Sequence, residues 1–179
     1  MFAYKTAVAV KANGFTHIKI YNGGIKDWKK SGLPIETIDA LPKMEVRLIT
    51  AEELLALLQS LKENGCRDAS HRPLVTLLDL RTENHLPPEP GAATSITHIE
   101  SSCPRIFCLL DQLQRPEIRK KIPKTGLVVT VTETGNRDQF AIQYLSKYGY
   151  GNIKGLMFGM RGWIKEDYPI ETASPQMKP

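Results

Sequence analysis

GLVVTVTETGNRDQFAIQYLSKYG, residues 126–149, is the stretch on which the fold turns. Leu127 to Val131 is an unbroken run of apolar and β-branched residues. That is the pattern of a strand buried on both faces, and so of a parallel sheet. Thr132 to Arg137 is a six-residue polar turn, and the segment DQFAIQYLSKYG after it reads as an amphipathic helix ending at Gly149. A buried strand, a tight turn and a helix make the first half of a right-handed βαβ crossover. In such a crossover the turn amides and the helix N-terminus converge at the end of the strand, where a small anion is readily held.

The alternation extends on both sides. LVTLLDL at 74–80 is a second continuous apolar run. Thr50-Ala51-Glu52-Glu53 has the pattern of a capping box and opens an amphipathic helix that ends near Gly65. A loop rich in Pro, Gly and Thr covers roughly 82–97, and a second helix is expected within 103–120, stopped by Pro123. NIKGL at 152–156 is a short strand, and MRGWIKED at 160–167 a last helix. Strands alternating with helices predict an α/β domain, a parallel sheet flanked by helices.

The end of this unit also occurs earlier in the chain. GFTHIKIYNGGIKDWKKSGLPIE at 14–36 aligns without a gap on GYGNIKGLMFGMRGWIKEDYPIE at 149–171, an offset of 135. Nine of the 23 positions are identical, including Gly14/Gly149, Gly24/Gly159, Trp28/Trp163 and Pro34/Pro169, where average composition gives roughly one or two. The predicted organisation is therefore 1–36 as the C-terminal part of a first domain, 37–47 as a linker, and 48–173 as a complete domain. By the same offset, Met1 and Phe2 align with Asn136 and Arg137. Residues 1–36 offer a helix, a strand at HIKIY (17–21) and a short helix, too little for a core. Their expected partner is the upstream half of that first domain, in the same protein or another chain.

Composition narrows the function classes. The 179 residues are 41% hydrophobic and 24% charged, as in an ordinary globular chain, and no apolar run is long enough to span a bilayer. The net charge of +5 gathers in Lys26, Lys29 and Lys30 and in Arg115 to Lys124. Neither cluster interleaves aromatics, so no nucleic-acid partner is expected, nor a membrane. MFAYKTAVAVKANGF is not a signal peptide, being broken by Lys5 and Lys11, and the compartment is not read from the chain. Three cysteines are an odd, sparse set that argues against a disulfide framework. Cys103 and Cys108, in SSCPRIFCLL, are expected as packed thiols, and Cys66, after a helix end, as an exposed bystander. No spacing suits a metal, and no cofactor is expected.

In this order, the motifs resemble the rhodanese-like (sulfurtransferase-like) family. Asp79-Leu80-Arg81 matches its strand ending in Asp-x-Arg, and Thr97-His98-Ile99 stands where a Gly-His-Ile step is usual. Val128 to Val131, with Thr132, Glu133, Thr134, Gly135, Asn136 and Arg137, matches the strand and its active-site loop, Cys-x-x-x-x-Arg. Gly149 to Gly159, Trp163 and Pro169 match the end. The resemblance covers about 48–171 and again 1–36, and implies a tandem rhodanese protein. It departs in two places. Thr132 stands at the catalytic cysteine's position, and the segment from Thr82 to Thr97 is longer and more proline-rich than usual.

The substitution decides the expected chemistry. Sulfur transfer needs a thiolate that accepts sulfur as a persulfide, and a threonine hydroxyl does neither. The complete domain is expected to be a pseudoenzyme that supports or regulates an upstream sulfurtransferase domain. Two alternatives remain: a module binding a small oxyanion or a partner, and a weak sulfurtransferase using Cys103 or Cys108. A cysteine placed at 132 is expected to ionise easily beside the helix N-terminus. Glu133 opposes an approaching anion. Asp79 and Arg81 are expected to form an ion pair at a strand end, and His98 to hydrogen-bond backbone.

Overall fold

The computed structural model describes residues 2–36, 40–81 and 97–172. The chain divides into two compact units, Met1–Ala40 and Leu41–Pro179.

In the second unit, parallel strands β1 (Leu48–Ile49), β2 (Val75–Asp79), β4 (Arg105–Phe107), β5 (Leu127–Val131) and β6 (Ile153–Leu156) form one sheet in the order β1-β6-β5-β2-β4. β3 (Thr97–Ile99) pairs antiparallel with β7 (Ile170–Thr172) in a separate two-stranded ladder. The helices are α3 (Ala51–Ser60), α4 (Pro116–Arg119), α5 (Asp138–Ser146) and α6 (Gly159–Lys165), with a 3₁₀ turn at Asp111–Gln114. α3 opens with the expected capping box, in which Thr50 Oγ1 accepts from Glu53 N and the Glu53 carboxylate accepts from Thr50 N.

The continuous apolar runs are central strands. Every residue of β2 is buried, as are four of the five in β5. Alternate side chains feed two cores. Val75, Leu77, Val129 and Val131 pack with Leu54, Leu58 and Trp163 on one face. Leu78 and Val128 pack with Ala141, Ile142 and Leu145 on the other.

Three expectations are corrected. The helix expected within 103–120 is instead strand β4, the 3₁₀ turn and a single turn of α4. Pro104 and Pro116 interrupt any continuous helix, and Arg105–Phe107 gains a parallel ladder on Leu77–Asp79. Cys66 is not exposed but fully buried, and it is disulfide-bonded to Cys103, 37 residues away. The sheet brings the turn after α3 against the segment entering β4, a proximity that spacing does not encode. Of the three cysteines, Cys108 is the free buried thiol. The proline-rich stretch 82–96 and the boundaries at 37–39 and 173 lie outside the described residues.

In the first unit, α1 (Phe2–Ala12) and α2 (Gly24–Lys30) form, but HIKIY at 17–21 does not form a strand. A strand needs a neighbour, and the described residues of this unit offer none. Its Trp28 Nε1 donates to Pro34 O at 2.9 Å, as Trp163 Nε1 does to Pro169 O at 3.0 Å in the second unit. Trp163 is fully buried, whereas no residue of α2 is.

Candidate functional site

The six-residue turn joins β5 to α5 at the C-terminal end of the sheet, beside the end of β2. Thr132 is 4% exposed. Its Oγ1 accepts from Gly135 N at 3.0 Å and donates to Asp138 Oδ2 at 3.2 Å. The hydroxyl proton and the turn amide most directly beneath it are thus already used. Gly135 takes φ +81, which a side chain would resist, and so lets the chain fold back on Thr132.

The start of α6 closes the turn from a second side. Met160 N donates to Thr132 O at 2.8 Å and Arg161 N to Glu133 O at 3.0 Å. A Cβ on Gly159 would come within 2.2 Å of Thr132 O and 2.7 Å of Gly135 N. The neighbouring Phe158 stands at φ +62 with its ring largely exposed. Thr134 is half-buried, while Asn136 and Arg137 are exposed, Arg137 as the N-cap residue of α5.

Asp138, missed by sequence reasoning, lies under this turn with no exposed surface. Burial pushes its carboxyl up to about 7; the Thr130 and Thr132 hydroxyls pull the other way, and Asp79 adds to the rise. Its Oδ1 has no hydrogen-bond partner among the described residues. An acidic residue in the first turn of a helix is ordinarily a solvated partner of the macrodipole, and nothing in the sequence signals that this one is sealed in. It bears on the expectation for a cysteine at 132, whose thiol would sit beside this carboxyl. Where that carboxyl ionises, its charge disfavours the thiolate.

Asp79, Arg81 and His98 come together beside the turn. Arg81 holds Asp79 with two bonds, Nε to Oδ1 at 3.0 Å and Nη2 to Oδ2 at 2.7 Å. Nη2 also donates to Thr97 O at 2.9 Å. His98 Nδ1 lies 3.1 Å from Arg81 Nη2 and 3.3 Å from Asp79 Oδ2, so this ring nitrogen meets side chains rather than backbone. Glu133, 64% exposed on its side chain, reaches Arg81 Nη1 at 4.0 Å. The network bridges the ends of β2 and β3, and Glu133 faces it rather than only open solvent.

The cysteines stand apart from this constellation. Cys103 is committed to its disulfide. Burial pushes the Cys108 thiol up to about 11, and Asp79 and Asp111 push it in the same direction.

No family model matches the chain, and no curated protein matches it. Solved structures do. The full-length Lactobacillus plantarum protein is 19% identical, covering 70% of this chain and 88% of its own, with a TM-score of 0.50. The rhodanese-like domain of an Anabaena protein is 17% identical, covering 76% and 86%, with a TM-score of 0.49. A rhodanese-related protein from Thermoplasma volcanium is 22% identical, covering 70% and 97%, with a TM-score of 0.45. The second unit has an α/β fold with a parallel five-stranded sheet flanked by helices, and rhodanese-related domains are among the solved structures that the chain is similar to. At these identities the likeness is one of fold.

Proposed function

We propose that residues 48–173 are a catalytically degenerate rhodanese-like domain that structurally supports or regulates a sulfurtransferase domain, to which residues 1–36 belong. The observation that carries this reading is the state of Thr132. The position that must present a thiolate holds a buried hydroxyl, bonded to Gly135 N and to the Asp138 carboxyl. The matching Trp–Pro contacts of the two units support the tandem organisation. The exposed Ile25 and Tyr21 of the first unit support a partner that would cover them.

The chemistry of the other residues weakens the alternatives. An internal carboxyl beneath the turn and an amide already occupied leave an oxyanion fewer donors than an open cradle provides. A thiol pushed to about 11 is scarcely ionised at neutral pH and is a poor sulfur acceptor. The test is thiosulfate:cyanide sulfur transfer by the purified chain. No thiocyanate above a protein-free blank is expected, and turnover that disappears on alkylation of Cys108 would overturn the reading.

A further inference from the structure

The three cysteines occupy unlike environments. Cys66 follows α3 in a tight turn at φ +61, with its N–H held by Leu61 O at 2.9 Å and Asn64 Oδ1 at 3.1 Å. Cys103 has its N–H held by Ser101 Oγ at 2.9 Å. Both lie in the core on the α3 and Trp163 face of the sheet. Cys108 lies in the opposite core, with Leu113 and Ile142. The sheet therefore separates the free thiol from the bonded pair, and thiol–disulfide exchange between them has no path in the folded chain.

The bond closes a covalent ring that contains β2, Asp79, Arg81 and His98. It ties the end of α3 to the segment leading into β4. Among the described residues, β4 is an edge strand laddered to β2. Beside the bond, β4 is held by its ladder on β2, and β3 by the contacts of Thr97 and His98 with Arg81; the bond adds a covalent tie to these short elements at the margin of the unit.

We propose that Cys66–Cys103 is a permanent structural crosslink, made once during folding in an oxidising compartment, and not a reversible switch. The inference is independent of the catalytic reading. Formation removes one hydrogen from each thiol. A small-molecule or protein disulfide accepts the two electrons and two protons and leaves as two thiols, through a mixed disulfide that the second cysteine resolves. Once the cores close, both sulfurs are shielded from an attacking thiolate, and a disulfide persists where no thiol-reducing pool acts on it.

The test uses the full chain, isolated from its own cells with thiols alkylated at lysis. In denaturant without reductant, one labelled cysteine is expected, Cys108; after reduction, all three label. Three labelled cysteines without reductant would overturn the oxidising compartment. In the native state, millimolar dithiothreitol should open the bond only at the rate of unfolding. Rapid opening of the folded chain would make the bond a switch and sink the proposal. The pre-reduced chain should lose roughly 10 °C in Tm, with amide protection lost first in β3 and β4. An unchanged Tm would show that the bond bears no structural role. The Cys108→Ser variant, which leaves the pair intact, should show no labelled cysteine in unreduced denaturant.

Discussion

The carboxyl of Asp138 places Oδ2 on the Thr132 hydroxyl, while its Oδ1 has no hydrogen-bond partner among the described residues. Burial lifts it from an ordinary 3.8 to about 7. Between those values the folded chain keeps a proton that the unfolded chain releases, so stability falls as pH rises through that window. Above pH 7 the penalty is complete. Asp138→Asn reproduces the neutral shape without the charge. It should stabilise the chain by roughly 2–4 kcal/mol at about pH 8 and by well under half of that at about pH 4.5. Urea midpoints at the two pH values measure the difference, and equal shifts would show that Asp138 is not held neutral. Little of this was legible in the sequence. Thr132 could be read as a lost nucleophile from its place in the loop, but its partner six residues on looked like an ordinary first-turn acid.

At the scale of elements, the turn is held by α6 as much as by its own residues. Met160 and Arg161 donate to its carbonyls, and Gly159 fits only because it lacks a Cβ. Gly159→Ala forces a side chain into backbone at φ +58. A loss of at least about 2 kcal/mol is expected in chemical denaturation; a loss within about 0.5 kcal/mol would mean that α6 does not clamp the turn. Long periodic elements could be read directly: β2, β5, α3 and α5 stand within a few residues of expectation. SSCPRIFCLL could not, because a short apolar run serves a helix or a strand equally well until a neighbouring edge claims it. β2 supplied that edge.

At the scale of the whole molecule, the two units differ in what they bury. In the second, Trp163 is fully buried in the core that also holds Leu54 and Leu58 of α3 and Val129 of the sheet. In the first, α2 has no buried residue, Ile25 is 63% exposed and residues 17–21 have no strand partner among the described residues. Amides of 17–21 in the isolated chain should therefore exchange at nearly unprotected rates, while β2 and β5 remain protected up to global unfolding. Protection of 17–21 equal to that of β5 would contradict the reading of this unit as an incomplete fold. Sequence alone determined the alternation of buried strands and helices, the repeated Trp-bearing end and the absence of cysteine from the strand-to-helix loop. These are carried by periodicity, by identity at a fixed offset and by residue type, all of which are local or countable. Tertiary structure alone decided that Cys66 meets Cys103, that Asp138 is sealed under Thr132 and that β4 replaces a helix. Each depends on which distant segments the sheet order brings together, and sheet order follows from the packing of both faces at once, not from any single segment.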